Sequence, residues 1–289
     1  MMFRYRIFYG FCWLLALLPL RCLYLISDFF FVPVYYVIRY RRKVVMENLR
    51  NSFPEKTEKE RRVIARKFYR FLCDLILETV KLVNIDTPQM RRRIRYSNPE
   101  ILDELYRKGK QVFVVIGHYG NWEWLSTLLS AAPYQNATLY QPLENKLIDK
   151  FLHDLRTRNG TDAIPSISAI RAINQYRQEN RLTTLCFLSD QSPPRNAIHY
   201  WTTFLNQETP VYTGVETFAK RYNTAVLYYE IRRVKRGYYE VNVSLITENA
   251  AETAEMEITE KHVRLLEQTI RRNPQYWLWS HRRWKHKRE

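Results

Sequence analysis

Hydrophobic and polar positions divide the chain near residue 43. Residues 7–20 carry no charge; Arg21 interrupts, and apolar character resumes over residues 22–26 and 29–38 around Asp28. The uninterrupted run is shorter than the ~20 residues that a simple spanning helix needs. Its length suits a signal peptide, yet no small-x-small cleavage site follows and the apolar character continues. Arg4 and Arg6 precede the block, and Arg39, Arg41, Arg42 and Lys43 follow it. Residues 1–43 therefore read as a membrane anchor, spanning or re-entrant, with basic flanks at cytoplasmic headgroups. A buried hydrophobic hairpin of a soluble domain is the competing reading.

From residue 44 to 289 the pattern is that of one globular domain. Val63, Phe68, Phe71, Leu75 and Leu82 recur at helical spacing within residues 57–83, and Thr57 with Glu60 resembles a capping box. A helix over 99–108 leads to Gln111-Val112-Phe113-Val114-Val115-Ile116-Gly117, a buried strand by its β-branched run. Strands are then expected over 137–141 and 183–189, and helices over 121–130, 145–158, 168–177, 213–222 and 257–271. Residues 225–234 and 238–246 flank Lys235-Arg236-Gly237, a hairpin signal. This alternation predicts an α/β fold, a mixed but mostly parallel sheet flanked by helices with an antiparallel edge.

Composition narrows the partners. Lys and Arg number 46 against 29 Asp and Glu, a net charge of +17 that favours an anionic partner. The 21 Tyr, 14 Phe and 7 Trp suit a membrane–water interface, where rings with a polar tip settle. No zinc finger, RNA-recognition or helix-turn-helix signature accompanies the charge, so no nucleic acid is expected. Four dispersed cysteines, without CxxC, fit reduced thiols rather than a disulfide scaffold or a zinc site.

The chemistry concentrates in Gly117-His118-Tyr119-Gly120-Asn121-Trp122-Glu123-Trp124. His118 follows the carboxyl end of a buried strand, where open α/β sheets place ligands. Glu123, in the helix expected next, is placed to accept one ring N–H and leave the other nitrogen as a general base. The N-terminus of that helix is expected to offer amides to a developing negative charge. A hydroxyl attacking a thioester needs this set and no covalent nucleophile; no G-x-S-x-G is present. His-Glu-x-x-His is absent as well, so no metal pair is signalled.

The same segment resembles the His-x4-Asp/Glu motif of glycerolipid and lipid A acyltransferases. Four further blocks resemble the late (secondary) acyltransferases of lipid A biosynthesis, of lauroyl and myristoyl type. They are Arg41 to Val45 with Asn48-Leu49 and Phe53-Pro54-Glu55, then Tyr140-Gln141-Pro142-Leu143 with Asn145, Arg156, Arg158 and Gly160. Asp190-Gln191 follows, then Pro274-Gln275-Tyr276, Leu278-Trp279 and His281 to Lys285. The resemblance spans nearly the whole chain, but Ser192-Pro193-Pro194 and the region to Phe204 lack the small residues of many members.

The resemblance implies His118 as base and Glu123 as its orienting partner, with Asn121, Arg156, Arg158, Asp190 and Gln191 toward substrate. Arg158, ahead of Arg156, matches the arginine that holds a phosphate or carbonyl oxygen. His281, Arg282 and Arg283 would lie along anionic headgroups. The implied reaction moves a fatty acyl group from acyl carrier protein, or coenzyme A, to a hydroxyl of a lipid A precursor. It is expected at the cytoplasmic face of the inner membrane, without cofactor or metal. Two rivals stay open: the same chemistry on a lysophospholipid, aminolipid or other glycolipid, and a non-enzymatic basic protein of the membrane surface.

Overall fold

The computed structural model describes residues 2–127 and 133–288. The apolar N-terminus forms two helices, α1 (Met2–Leu17) and α2 (Leu20–Val32). They break at Pro19, which supplies no amide donor and takes an extended conformation at the cap of α2. A π-helical turn, Pro33–Ile38, prolongs α2 and ends on Arg39 in the left-handed region. Leu20–Ile38 is long and apolar enough to cross a membrane.

Then follow α3 (Arg42–Ser52), α4 (Glu58–Lys81), α5 (Thr87–Arg93), β1 (Ile94–Ser97), α6 (Glu100–Arg107) and β2 (Val112–Ile116). The capping box of α4 forms as its sequence suggests, Thr57 and Glu60 satisfying each other's amides. A 3-10 turn (Trp122–Thr127) leads toward β3 (Gln135–Tyr140), α7 (Lys146–Thr157), β4 (Asp162–Pro165), α8 (Ala169–Gln178) and β5 (Thr183–Leu188). The chain closes with β6 (Tyr200–Phe204), β7 (Gln207–Val211), α9 (Gly214–Tyr222), β8 (Ala225–Lys235), β9 (Tyr238–Thr247) and α10 (Glu257–Arg272). The helix expected over 121–130 is thus a 3-10 turn in its first part; its remainder lies outside the described residues.

Seven strands form one sheet in the order β1-β9-β8-β2-β5-β3-β4, with β6 and β7 pairing apart. Every neighbouring pair in the large sheet is parallel except β8 with β9. The sheet is mixed and mostly parallel, as the alternation predicts, and β2 is buried on both faces. The antiparallel pair is internal rather than at an edge, because β1 adds to the far side of β9. β1 and β4 are four residues each, too short to announce themselves by period. The β6–β7 hairpin turns on Leu205 and Asn206, both at positive φ. That turn conformation is ordinarily marked by Asn-Gly, and here its usual signal is missing.

The N-terminal helices are fastened to the domain on one side only. Lys81 donates to the carbonyls of Ala16 (2.5 Å) and Leu18 (3.0 Å), satisfying orphan groups at the end of α1. Tyr24 donates to Glu78 (2.8 Å) and Ser27 to Asp74 (2.7 Å). Arg236, in the β8–β9 turn, clamps Asp28 and Asp74 together. The opposite side exposes Phe11, Leu14, Leu25, Phe29, Phe30 and Val37.

Candidate active site

The site forms where β2 and β5 end side by side. Ile116 and Leu188 are register partners, so His118 and Asp190, each two residues further, emerge together. His118 Nδ1 lies 2.6 Å from Asp190 Oδ1, and the backbone N–H of His118 donates to Oδ2 at 2.9 Å. Trp277 Nε1 donates to the same Oδ2 at 2.7 Å. Burial alone would raise the Asp190 carboxyl; the imidazole and these donors outweigh it and hold the group down at about 2.

The carboxylate that orients the imidazole is therefore Asp190, and not Glu123 as the spacing had suggested. Gly120, at φ +62, redirects the chain after the strand, and a Cβ there would stand 2.7 Å from Ile231 Cγ2. Tyr119 bridges to Trp277, and the turn that follows is 3-10 rather than α-helical. Glu123 consequently faces α7, where it holds Arg156 in a two-pronged pair at 2.5 and 3.0 Å. It also accepts from Trp122 Nε1 at 3.1 Å. A six-residue 3-10 turn does not supply the helix N-terminus expected for an oxyanion.

The other ring nitrogen of His118 meets Gln191 in a cavity that both residues line. Its Nε2 lies 3.2 Å from Gln191 Nε2, and the indole of Trp122 meets the ring edge-on at 5.0 Å. With the N–H held at Nδ1 by Asp190, Nε2 is the acceptor, the form required of a base. His118, Trp122, Glu123, Arg156 and Gln191 line a cavity of about 900 Å³. Its walls include Ile94, Leu102, Val114, Ile116, Leu139, Leu152 and Tyr229. Cys186 lies in the same wall, its thiol pushed up to about 12 by burial, so no thiolate nucleophile stands there at neutral pH.

Three other expected substrate contacts sit elsewhere. Arg158 donates to the carbonyls of Leu82 (2.9 Å) and Val83, capping the end of α4 instead of facing the cavity. Asn121 is buried between Glu78 (2.7 Å) and the amide of Trp124 (3.2 Å), bracing the turn. The C-terminal basic run does not lie along a surface as a unit: Arg283 is 2% exposed and donates to the carbonyl of Pro210. Trp277 was missed as a contact of the site; an indole seven residues before Trp284 carries no signal of its partner.

Two comparisons bear on this arrangement. A stretch of 120 residues is 24% identical to lipid A biosynthesis acyltransferase 2 of Shigella flexneri. It covers 42% of this chain and 38% of that protein's length. The wider match runs over residues 2–286, and by it the chain belongs to the bacterial lipid A biosynthesis acyltransferase family.

Proposed function

We propose that the protein is an O-acyltransferase that carries a fatty acyl group from a thioester to a hydroxyl of a lipid A precursor. One observation carries the reading: a histidine polarised by a buried carboxylate opens onto an apolar cavity large enough for an alkyl tail. The acceptor hydroxyl takes the place of the Gln191 amide at His118 Nε2 and gives up its proton there. Its oxygen bonds to the thioester carbonyl carbon. As the intermediate collapses, the C–S bond breaks and the thiolate receives the proton from the imidazolium. Asp190 stabilises that imidazolium without taking its proton.

Arg156, held rigid by Glu123, fits the role of binding the carbonyl oxygen or a substrate phosphate, a task suited to a forked cation. The donor we favour is acyl carrier protein, an acidic partner for a chain of charge +17. The outward faces of α1 and α2 would enter the inner membrane, with the catalytic domain on the cytoplasmic side. Exposed Phe11, Phe29, Phe30 and Val37 support this, as do four free cysteines. The test is a reconstituted assay with acyl carrier thioester and lipid A precursor, read by mass spectrometry. Acylation that persists in His118→Ala overturns the mechanism, and acylation of phospholipid in place of lipid A overturns the acceptor.

A further inference from the structure

A second, much smaller cavity is lined by Asp190 and not by His118. It measures about 10 Å³, and Asp190, His262 and Arg283 share its wall with apolar residues such as Phe204, Tyr228 and Leu266. All of these side chains are buried, His262 being 3% exposed and Arg283 2%. Among the described residues, Arg283 Nε and Nη1 and His262 Nε2 have no hydrogen-bond partner. A buried guanidinium with two idle nitrogens, which carry three N–H donors, is an expensive feature, because these groups have lost water and gained nothing.

We propose that Arg283 and His262 are positioning residues for the His118–Asp190 pair, acting on Asp190 through one water molecule held in this cavity. The inference rests on reading that pair as the catalytic one. The size fits, since a cavity needs roughly 10–15 Å³ to take one water. The valences fit as well. Arg283 supplies donors, while His262 Nε2 and Asp190 supply acceptors, so one water can accept from the first and donate to the other two. A carboxylate offers about four acceptor positions. Three on Asp190 are occupied, by His118 Nδ1, the His118 amide and Trp277 Nε1, which leaves one on Oδ1. An anion such as chloride would face that carboxylate directly and is disfavoured.

The groups that bear on Asp190 are His118 from the end of β2, Tyr228 from β8, His262 from α10, and His281 with Arg283 from the C-terminal segment. Burial brings His262 down to about 4, so it is neutral and able to accept at physiological pH. Arg283 is lowered by burial to about 10 and remains a cation. It is thus the one constant positive charge of this set, and it opposes protonation of the pair.

The experiment is the pH profile of kcat/KM for thioester-dependent acylation in the full-length protein. Arg283→Met should lower the rate by about tenfold, as losing an outer partner commonly does. It should also move the acidic limb upward by about one pH unit, because without the cation the pair keeps its proton longer. Arg283→Lys should hold the limb in place. Should Arg283→Met fail to fold, His262→Phe removes the acceptor while keeping the ring volume, and about a tenfold loss is expected again. An unmoved limb in Arg283→Met, or a wild-type profile in His262→Phe, overturns the proposal; so does a high-resolution structure with this cavity dry or holding chloride. Asp190→Asn separates the two levels. If it keeps its rate, the reading of the catalytic pair has failed; if it is inactive while Arg283→Met keeps the wild-type limb, only the positioning role has.

Discussion

His118 and Asp190 meet because Ile116 and Leu188 are opposite one another in a parallel ladder, and each of the two side chains stands two residues past one member of that register pair. The pair is separated by 72 residues of sequence and 2.6 Å of space. A parallel register shared by two buried strands is rigid, so the distance is set by the sheet rather than by a loop. Asp190→Asn would present an amide donor to Nδ1, drive the proton to Nε2 and disable the base. A fall in kcat of about 10²–10⁴-fold is expected in the acylation assay. An Asp190→Asn enzyme with wild-type kcat would remove the carboxylate from the mechanism.

Glu123 and Arg156 should behave differently from that pair. Glu123→Gln weakens the clamp on a half-buried arginine that lines the cavity. With one partner of the pair partly exposed, the change is expected to cost about 1–3 kcal/mol, part of it in stability. Arg156→Lys keeps the charge but loses the fork, and we expect KM to rise by about tenfold with a smaller change in kcat. Steady-state kinetics on the two variants decides it: a pure kcat defect equal to that of His118→Ala would put Glu123 back beside the base.

Cavity length should govern the donor. Cys186 and Val114 are register partners whose side chains wall the same apolar space. Cys186→Phe fills part of it, and competition between acyl donors should shift toward shorter chains. Unchanged selectivity in a folded Cys186→Phe protein would mean that the tail binds elsewhere.

Stability should depend on pH through His262. Its folded value of about 4 lies below the usual 6.5, so the unfolded chain takes the proton first. This contribution is complete above about pH 6.5 and is lost as the pH falls toward 4, up to about 3 kcal/mol. His281, also lowered by burial to about 4, acts in the same direction. Asp190 adds no pH dependence in that window, because both its usual value of 3.8 and its folded value of about 2 lie beneath it. Denaturant midpoints at pH 7.5 and pH 5 check this, and His262→Phe should flatten the difference.

Membrane attachment should follow the outer faces of α1 and α2 and not the net charge. Phe11→Glu combined with Phe29→Glu places charges on exposed positions without touching the contacts to Asp74, Glu78 or Lys81. We expect the variant to fold and to leave the membrane fraction, since such charges are costly in lipid. If high salt alone releases the wild type, the attachment is electrostatic and the anchor reading is wrong.

Local pattern was enough for the elements that signal their own period: the capped helix α4, the all-buried β2 and the β8–β9 hairpin. It was enough also to place His118 just past β2, because a histidine between glycines at the end of a buried strand is a local arrangement. Which carboxylate faces that histidine is a question of strand neighbours. Glu123 is close in sequence but is carried away by a 3-10 turn, whereas Asp190 is distant and is brought in by register. Arg156 lies in the last turn of α7 and Arg158 just past its end, and only the packing of α7 decided which faced the cavity and which capped α4. Sequence alone determined the longer helices and strands and the position of His118 after one of them, both being properties of short stretches of chain. The carboxylate that meets His118, and the cavity the imidazole opens onto, belong to contacts between segments far apart, and these exist only once the sheet has chosen its order.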